Sequence, residues 1–347
     1  MSTIIHKEDI DAFRKFDLKK GAELYRELRE EVSQAGLLDR SYGFYSTLVA
    51  CTYIGFFSSL VAIYYTSNPF MVAFLSVLFA IFSVQISGLV HDAAHRAIFK
   101  SSKLNDLFGH FLASTVATGY SNWRIAHDRH HAKPNQDGFD PDVEVPFSFT
   151  AERFKNSKGL GRRIAKYQAY AYYPLGTLTS LSVRFKKMTY FQENWSWKIW
   201  KEVLVFVISV ILHFAVPLYL FGLAKGMSFL TIVTLIEGFY LFNVFAPNHK
   251  GMPELGNDVS LSFFEQQIVT SRNIRSNSLI DYVYLGLNFQ IEHHLFPTAP
   301  RNNLKKIVPH VEKLCKKYGI DHTETGPLES AKILFNEMRE VSKTFGE

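Results

Sequence analysis

Cysteine is nearly absent from these 347 residues: Cys51 and Cys315 are the only two. That excludes a thiolate metal motif and a disulfide framework and fits a reducing compartment. Charge is missing from residues 41–91, where 51 consecutive positions hold no Asp, Glu, Lys or Arg. A helix crossing a bilayer needs ~20 apolar residues, so this stretch holds two spans, and a soluble core rarely requires such a run. Nothing resembles a cleavable signal peptide, because the first 40 residues are charged and mixed in sign. Internal repeats and low-complexity segments are also lacking.

What is present is apolar sequence at spanning length, with 47% hydrophobic and 15% aromatic residues overall. Spans near residues 43–66 and 69–90 are joined at Ser67-Asn68-Pro69. A second uncharged run, 203–224, is followed after Lys225-Gly226 by 227–246, apolar except for Glu237. The sequence predicts an all-α integral membrane protein with four transmembrane helices in two hairpins and a cytoplasmic helical cap. Its expected domains are an amphipathic arm (1–40), a membrane domain (41–300) and a helical tail (301–347).

The net charge of +6 does not point to nucleic acid, because the Lys and Arg residues flank the spans rather than forming a separate basic domain. They follow the positive-inside bias. The linker between the first two spans has no Lys or Arg while the arm has eight, which places the arm and the end of the second span in the cytoplasm. Arg124, Arg129, Lys133, Arg162, Arg163, Lys186 and Lys187 keep the central segment there too. Within it, 107–120 is too short to span, and 167–183 is broken by Pro174 and rich in Tyr; both are expected to be interfacial or re-entrant. In the arm, Leu24, Tyr25, Leu28 and Val32 have helical spacing and predict an amphipathic helix on a protein or membrane surface. In the tail Leu304, Ile307, Val308, Val311, Leu314 and Tyr318 predict another, with Gly319 as its stop.

His213 lies twelve residues before Lys225 and Glu237 twelve after it, so in an antiparallel hairpin they share a depth ~18 Å from the turn. An ionisable group there needs a partner. Two readings are open: a hydrogen bond between them, or a protonated Glu237 bonded to backbone or hydroxyl groups.

Seven of the thirteen histidines fall in three clusters, His91-Asp-Ala-Ala-His95, His127-Asp-Arg-His130-His131 and Gln290-Ile-Glu-His293-His294. Histidines three or four apart share a helix face, and neutral imidazole suits zinc, copper, iron and nickel. One such pair is a weak signal, but three beside membrane spans are not. His249, where the fourth span re-enters the cytoplasm, is a further candidate ligand, with capping as its alternative. His6, His110, His310 and His322 are expected to be structural or exposed. Seven or eight imidazoles exceed what one tetrahedral zinc uses, so two metals are the economical reading. A redox-inactive pair can hydrolyse a lipid, whereas an iron pair can activate O2 against an unactivated carbon; spacing alone does not choose. A metal transporter would line a transmembrane path with its histidines, and these gather at span ends.

The order His-x-x-x-His, His-x-x-His-His, Gln-x-x-His-His, with paired spans between, resembles the membrane fatty-acyl desaturases over about residues 40–300. Gln290 in place of the first histidine of the third box, and His130-His131-Ala-Lys-Pro-Asn135 leading into Asp140-Pro-Asp142, resemble the front-end subgroup. The resemblance implies a non-haem di-iron centre, O2, two electrons from a small carrier, and a cis double bond inserted into a long acyl-lipid or acyl-CoA chain. Its implied iron ligands are His91, His95, His127, His130, His131, His293 and His294, with His249 as the family's extra histidine. Gln290 is a cofactor-binding candidate that can coordinate, act through water or orient a ligand. Asp92, Asp128 and Glu292 can accept imidazole protons or form surface ion pairs, and Asn135, Asp140 and Asp142 are expected to shape the loop behind box two. No cytochrome b5 domain precedes the boxes, so the expected donor is a separate ferredoxin or cytochrome b5. The bilayer is expected to be a bacterial inner membrane, or alternatively the endoplasmic reticulum. A di-iron hydroxylase and a zinc-dependent lipid hydrolase are the competing readings.

Overall fold

The structure, a computed structural model, describes residues 4–10, 14–143, 147–197 and 199–345. Its helices in chain order are α1 (Leu18–Gln34), α2 (Tyr42–Tyr65), α3 (Pro69–Ala94), α4 (Ser102–Thr115), α5 (Ser121–Ala132), α6 (Ala151–Asn156), α7 (Gly159–Lys166), α8 (Gln168–Gly176), α9 (Thr179–Glu193), α10 (Trp200–Val210), α11 (Val216–Phe221), α12 (Leu223–His249), α13 (Phe263–Val269), α14 (Ser278–Val283), α15 (Gln290–Leu295), α16 (Arg301–Tyr318) and α17 (Pro327–Phe345). Two short parallel pairings complete it, Ile4–Ile5 (β1) with Glu254–Leu255 (β2) and Asn273–Ile274 (β3) with Glu324–Thr325 (β4).

Four of the described helical stretches are long and apolar enough to cross a membrane: Tyr42–Tyr65, Pro69–Ala94, Trp200–Phe221 and Leu223–His249. They overlap the four expected spans, with individual bounds shifted by up to four residues. Only 22% of the apolar window of α2 is buried, and Ile54, Phe57, Val61 and Phe74 point outward. In water such faces would aggregate; in lipid they are the solvated surface.

The chain divides into two compact units, one of Arg40–Arg124 and Leu175–Asn243 and the other of Met1–Asp39, Ile125–Pro174 and Val244–Glu347. The first carries the membrane helices. α2 and α3 pack around Phe56, Ile63, Phe79 and Phe229. The hairpin between α11 and α12 turns at Gly222, whose φ of 76° is open to glycine without strain. Lys225 is therefore past the turn, and its Nζ donates to the carbonyls of Ile63, Tyr64 and Thr66 at 2.8, 3.1 and 2.9 Å. The ammonium caps the otherwise unsatisfied C-terminal end of α2.

Of the two readings open for Glu237, the hydrogen bond to His213 does not form, whereas a hydroxyl partner is present. His213 sits in a π-turn, Ile211–Ala215, just before Pro217, which has no N–H to continue the helical ladder. Its Nε2 is 4.0 Å from Glu237, too far for a hydrogen bond. Glu237 instead accepts from Arg184 Nη2 at 3.0 Å and Ser83 Oγ at 2.5 Å. Arg184 comes from α9, which lies close because Gly238 leaves room for it: a Cβ there would meet the Thr177 carbonyl at 1.9 Å. Lys187, expected to be a surface anchor, is fully buried and paired with Glu202.

In the second unit α1 packs on α13 and α16 rather than lying free. Leu28 and Val32 join Phe264, Ile268, Ile291, Leu295, Leu304 and Ile307 in one core, and Tyr25 Oη donates to the Leu295 carbonyl at 2.8 Å. α16 ends at Gly319 in the left-handed region, φ 63°, as its sequence predicts. Arm, tail, α13 and the helix of box three thus build one core.

Candidate metal centre

Box one ends α3 in the membrane-helix unit. His91 and His95 are one turn apart, both buried, with ring centroids 4.7 Å from each other. Asp92 Oδ1 is 3.4 Å from His91 Nδ1.

The other unit gathers six imidazoles, none more than 8% exposed. His127 and His131 lie one turn apart on α5, and His293 and His294 are adjacent on α15. His131 Nε2 is 3.1 Å from His127 Nε2 and 3.2 Å from His293 Nε2. Alongside, His249 Nε2 is 3.2 Å from His130 Nε2 and 3.0 Å from His294 Nε2. The nitrogens of each trio lie within 4.8 Å of one another. His249 belongs to the second trio, which makes capping the poorer account of it.

The outward nitrogens decide what the inward ones carry. His249 Nδ1 faces the Thr270 carbonyl at 3.0 Å, and a carbonyl only accepts, so Nδ1 holds the proton and Nε2 a lone pair. His294 Nδ1 donates to Gln267 Oε1 at 2.8 Å, an amide oriented by its own Nε2 donating to the His131 carbonyl at 3.3 Å. His130 Nδ1 donates to Asp140 Oδ2 at 2.9 Å. With Nδ1 of each ring engaged outward, the three Nε2 atoms turn to one point, an arrangement that suits metal ligation. The donor set fits a metal.

Electrostatics agrees. Burial, reinforced by the neighbouring imidazoles, holds the pKa of His294 well below its ordinary value, leaving it neutral and able to bind a metal. Burial works against charge on His130 too, but Asp140 outweighs it and raises that pKa, so its Nε2 is a strong base for a proton or a metal. Asp140 is fully buried and also accepts from the backbone N–H of Asn135 and of Asp142, both at 2.8 Å. Sequence reasoning gave Asp140 only a loop role; its partner lies ten residues away, at no helical spacing. Asn135, at φ 54°, donates through Nδ2 to the carbonyls of His249 and Pro253, both at 3.1 Å, binding the box-two loop to the end of α12.

Gln290 also touches this trio, but not with its oxygen. Asn248 Nδ2 has three acceptors around its two hydrogens, the carbonyls of Val244 and Leu287 and Gln290 Oε1, at 3.1, 2.9 and 3.1 Å. Two backbone acceptors fix which end of Asn248 is the amide nitrogen, and that in turn fixes Gln290: its Nε2 lies 2.8 Å from His249 Nε2. The amide thus presents its nitrogen, not its oxygen, to the trio.

Glu292 serves none of these rings. It is fully buried, accepts from Asn273 Nδ2 at 2.7 Å and pairs with His322 Nε2 at 2.8 Å, tying α15 to the β3–β4 pairing. Asp128 is exposed. His310 pairs with Glu31 at 2.9 Å, and His110 stacks against Tyr120. Burial lowers the pKa of His322, but Glu292, with Glu312 and Glu324, raises it above its ordinary value on balance. Such a group stabilises the fold fully below its unfolded pKa, about 6.5, and that contribution disappears as pH rises through the raised folded value. His322→Gln should therefore melt below the wild type at about pH 6 and converge on it at higher pH. A gap independent of pH in detergent-solubilised protein would remove the ion pair as its cause.

Four spanning-length helices, one of them ending in a buried imidazole trio, define a helical integral membrane protein with a polyhistidine site. A family signature described as fatty acid desaturase matches residues 68–326, and the chain belongs to that family of oxidoreductases. It is 27% identical over 337 residues to the Delta(8)-fatty-acid desaturase of Euglena gracilis, covering 91% of this chain and 78% of that one. It is 28% identical over 348 residues to the acyl-lipid (9-3)-desaturase of Physcomitrium patens, covering 93% and 63%. Over 313 residues it is 28% identical to the Delta(5) fatty acid desaturase fat-4 of Caenorhabditis elegans, covering 86% and 69%.

Proposed function

We propose that this chain inserts a cis double bond into a long, already unsaturated acyl-lipid or acyl-CoA chain, on the carboxyl side of the existing double bond, using O2 and two iron ions. The observation that carries the reading is the pair of buried imidazole trios whose inward nitrogens converge, one of them at the end of a membrane-spanning helix. Relatives named as delta-8 and delta-5 desaturases support the front-end position.

His130, His249 and His294 would hold one iron and His127, His131 and His293 the other, with His91 and His95 as the remaining ligands that the family resemblance implies. Iron held there supplies the O2 activation by which one hydrogen leaves each of two neighbouring methylenes, while two electrons and two protons complete the reduction of O2 to two waters. The protein's part is positional. Asp140, Thr270 and Gln267 hold three imidazoles in the tautomer that offers Nε2 inward.

Electrons would come from an acidic carrier, a ferredoxin or a cytochrome b5. The support is α16, whose inner face packs on box three through Ile307 and Leu295 and whose outer face exposes Lys305, Lys306, Lys313, Lys316 and Lys317, a surface that steers an acidic partner. The eight Lys and Arg residues of the arm favour the cytoplasmic face, in a bacterial inner membrane or, alternatively, in the endoplasmic reticulum.

The test is expression in a host fed linoleate and alpha-linolenate, with double bonds located by mass spectrometry. A new alkene between the carboxyl end and the first existing double bond is expected. Unchanged lipids with iron-loaded enzyme and a competent donor would overturn the assignment, and a new alcohol would transfer it to the hydroxylases.

A further inference from the structure

We propose that Asp106 is a positioning residue for the metal-binding histidines, a carboxylate strut that ties the end of the box-one helix to the start of the box-two helix. The inference rests on the metal reading of the boxes given above.

Arg96 holds a backbone conformation that its side chain disfavours. α3 ends in a paired turn, with Arg96 N–H donating to the Ala93 carbonyl at 3.1 Å and Ala97 N–H to the Asp92 carbonyl at 2.9 Å. In this motif the residue at the position of Arg96 takes left-handed geometry, and glycine is the usual occupant because any Cβ is disfavoured. Arg96 sits there at φ 62°. Strain of this kind persists where surrounding structure fixes it, often at functional sites.

The side chain supplies the reason. Both terminal nitrogens of Arg96 reach Asp106, Nη1 to Oδ1 and Nη2 to Oδ2, the latter at 3.1 Å. This is the forked geometry in which guanidinium and carboxylate fit best. The same carboxylate accepts from Arg124 Nη1 and Tyr120 Oη, each at 2.9 Å. Four donors from three residues thus meet on one side chain. Arg96 directly follows His95, and Arg124 stands three residues ahead of His127 on α5. Asp106 is itself fixed: its neighbour Asn105, fully buried, accepts from Phe99 N–H at 3.1 Å and donates to the carbonyls of Phe99 and Ser101 at 2.7 and 2.8 Å. Burial pushes the Asp106 carboxyl up, but Arg96, Tyr120 and Arg124 outweigh it and keep it below the ordinary carboxylate range. A lone half-exposed ion pair contributes little. A carboxylate shared by the two segments that carry the histidines sets where those segments start and stop.

The discriminating variant is Arg96→Gly, which suits the turn better than arginine and removes the fork together with the longer contact from Nη1 to Tyr120 Oη at 3.4 Å. Full-length apo protein in detergent is titrated with Co2+ and followed by visible absorption, alongside thermal melting and kinetics. The expected result is an unchanged or raised melting midpoint, Co2+ affinity weakened about 10-fold, and a fall in kcat with KM unaltered. Asp106→Asn should weaken Co2+ binding in the same direction, and Arg96→Lys, which keeps the charge without the fork, should fall between. Wild-type affinity and absorption in both Arg96→Gly and Asp106→Asn, with wild type taking up Co2+, would overturn the strut alone. A wild-type protein that takes up no Co2+ would overturn the metal reading, and the strut with it.

Discussion

His249→Ala is expected to lose one of two metal ions per chain and to cut turnover by more than about 100-fold, since removing a mere hydrogen-bond partner of a ligand already costs about 10–100-fold. His249 stands between the other two members of its trio, at 3.2 Å from His130 and 3.0 Å from His294. Its loss leaves two imidazoles where three converged, and strands the Gln290 amide that faced it at 2.8 Å. The smaller side chain also opens a polar void beside Asn135, whose Nδ2 is bonded to the His249 carbonyl; that backbone bond survives, so the fold should persist. Elemental analysis of purified protein gives the count directly. His310→Ala, at the Glu31 surface pair, is the control expected to keep both ions. Two ions and normal turnover in His249→Ala would remove that ring from the centre, and the arrangement of donors would have to be redrawn around His130 and His294.

The chemistry that makes His249 informative was only partly legible in the sequence. Spans and boxes can be read because each obeys a local rule: lipid demands ~20 apolar residues in a row, and ligands on a helix recur at three or four. α1 and α16 were legible for the same reason, from Leu24, Leu28 and Val32 and from Leu304, Ile307 and Val311. Asp140, Asn248 and Asp106 obey no such rule. The first holds a ring ten residues away through a loop, the second orients an amide 42 residues away, and the third bridges positions 10 and 18 residues distant. Long polar side chains choose partners by tertiary proximity, which periodicity does not encode. The Gln290 orientation illustrates the limit well: the amide's two ends are equivalent in sequence, and only the two carbonyls held by Asn248 tell them apart.

Arg184→Met should destabilise the protein by about 3–5 kcal/mol, the cost of leaving a buried charge without its partner. Glu237, 3% exposed inside a spanning helix, would retain only the Ser83 hydroxyl at 2.5 Å. The double replacement Arg184→Met with Glu237→Leu removes both charges from the apolar interior and should return stability to within about 1 kcal/mol of wild type or above it, as replacement of buried ion pairs by apolar side chains commonly does. The cycle therefore has a large coupling term of defined sign. A parallel cycle between His213 and Glu237, 4.0 Å apart, should be far closer to additive, though not perfectly so because His213 Nε2 lies 3.4 Å from Arg184 Nη2 and shares that neighbour. Both cycles are read from unfolding in detergent or bicelles. If Arg184→Met cost less than about 1 kcal/mol, Glu237 would have to be held neutral, since an ionised carboxylate at that depth does not stand unpaired. A strongly coupled His213 cycle with an additive Arg184 cycle would restore the hydrogen bond that the hairpin register alone suggests.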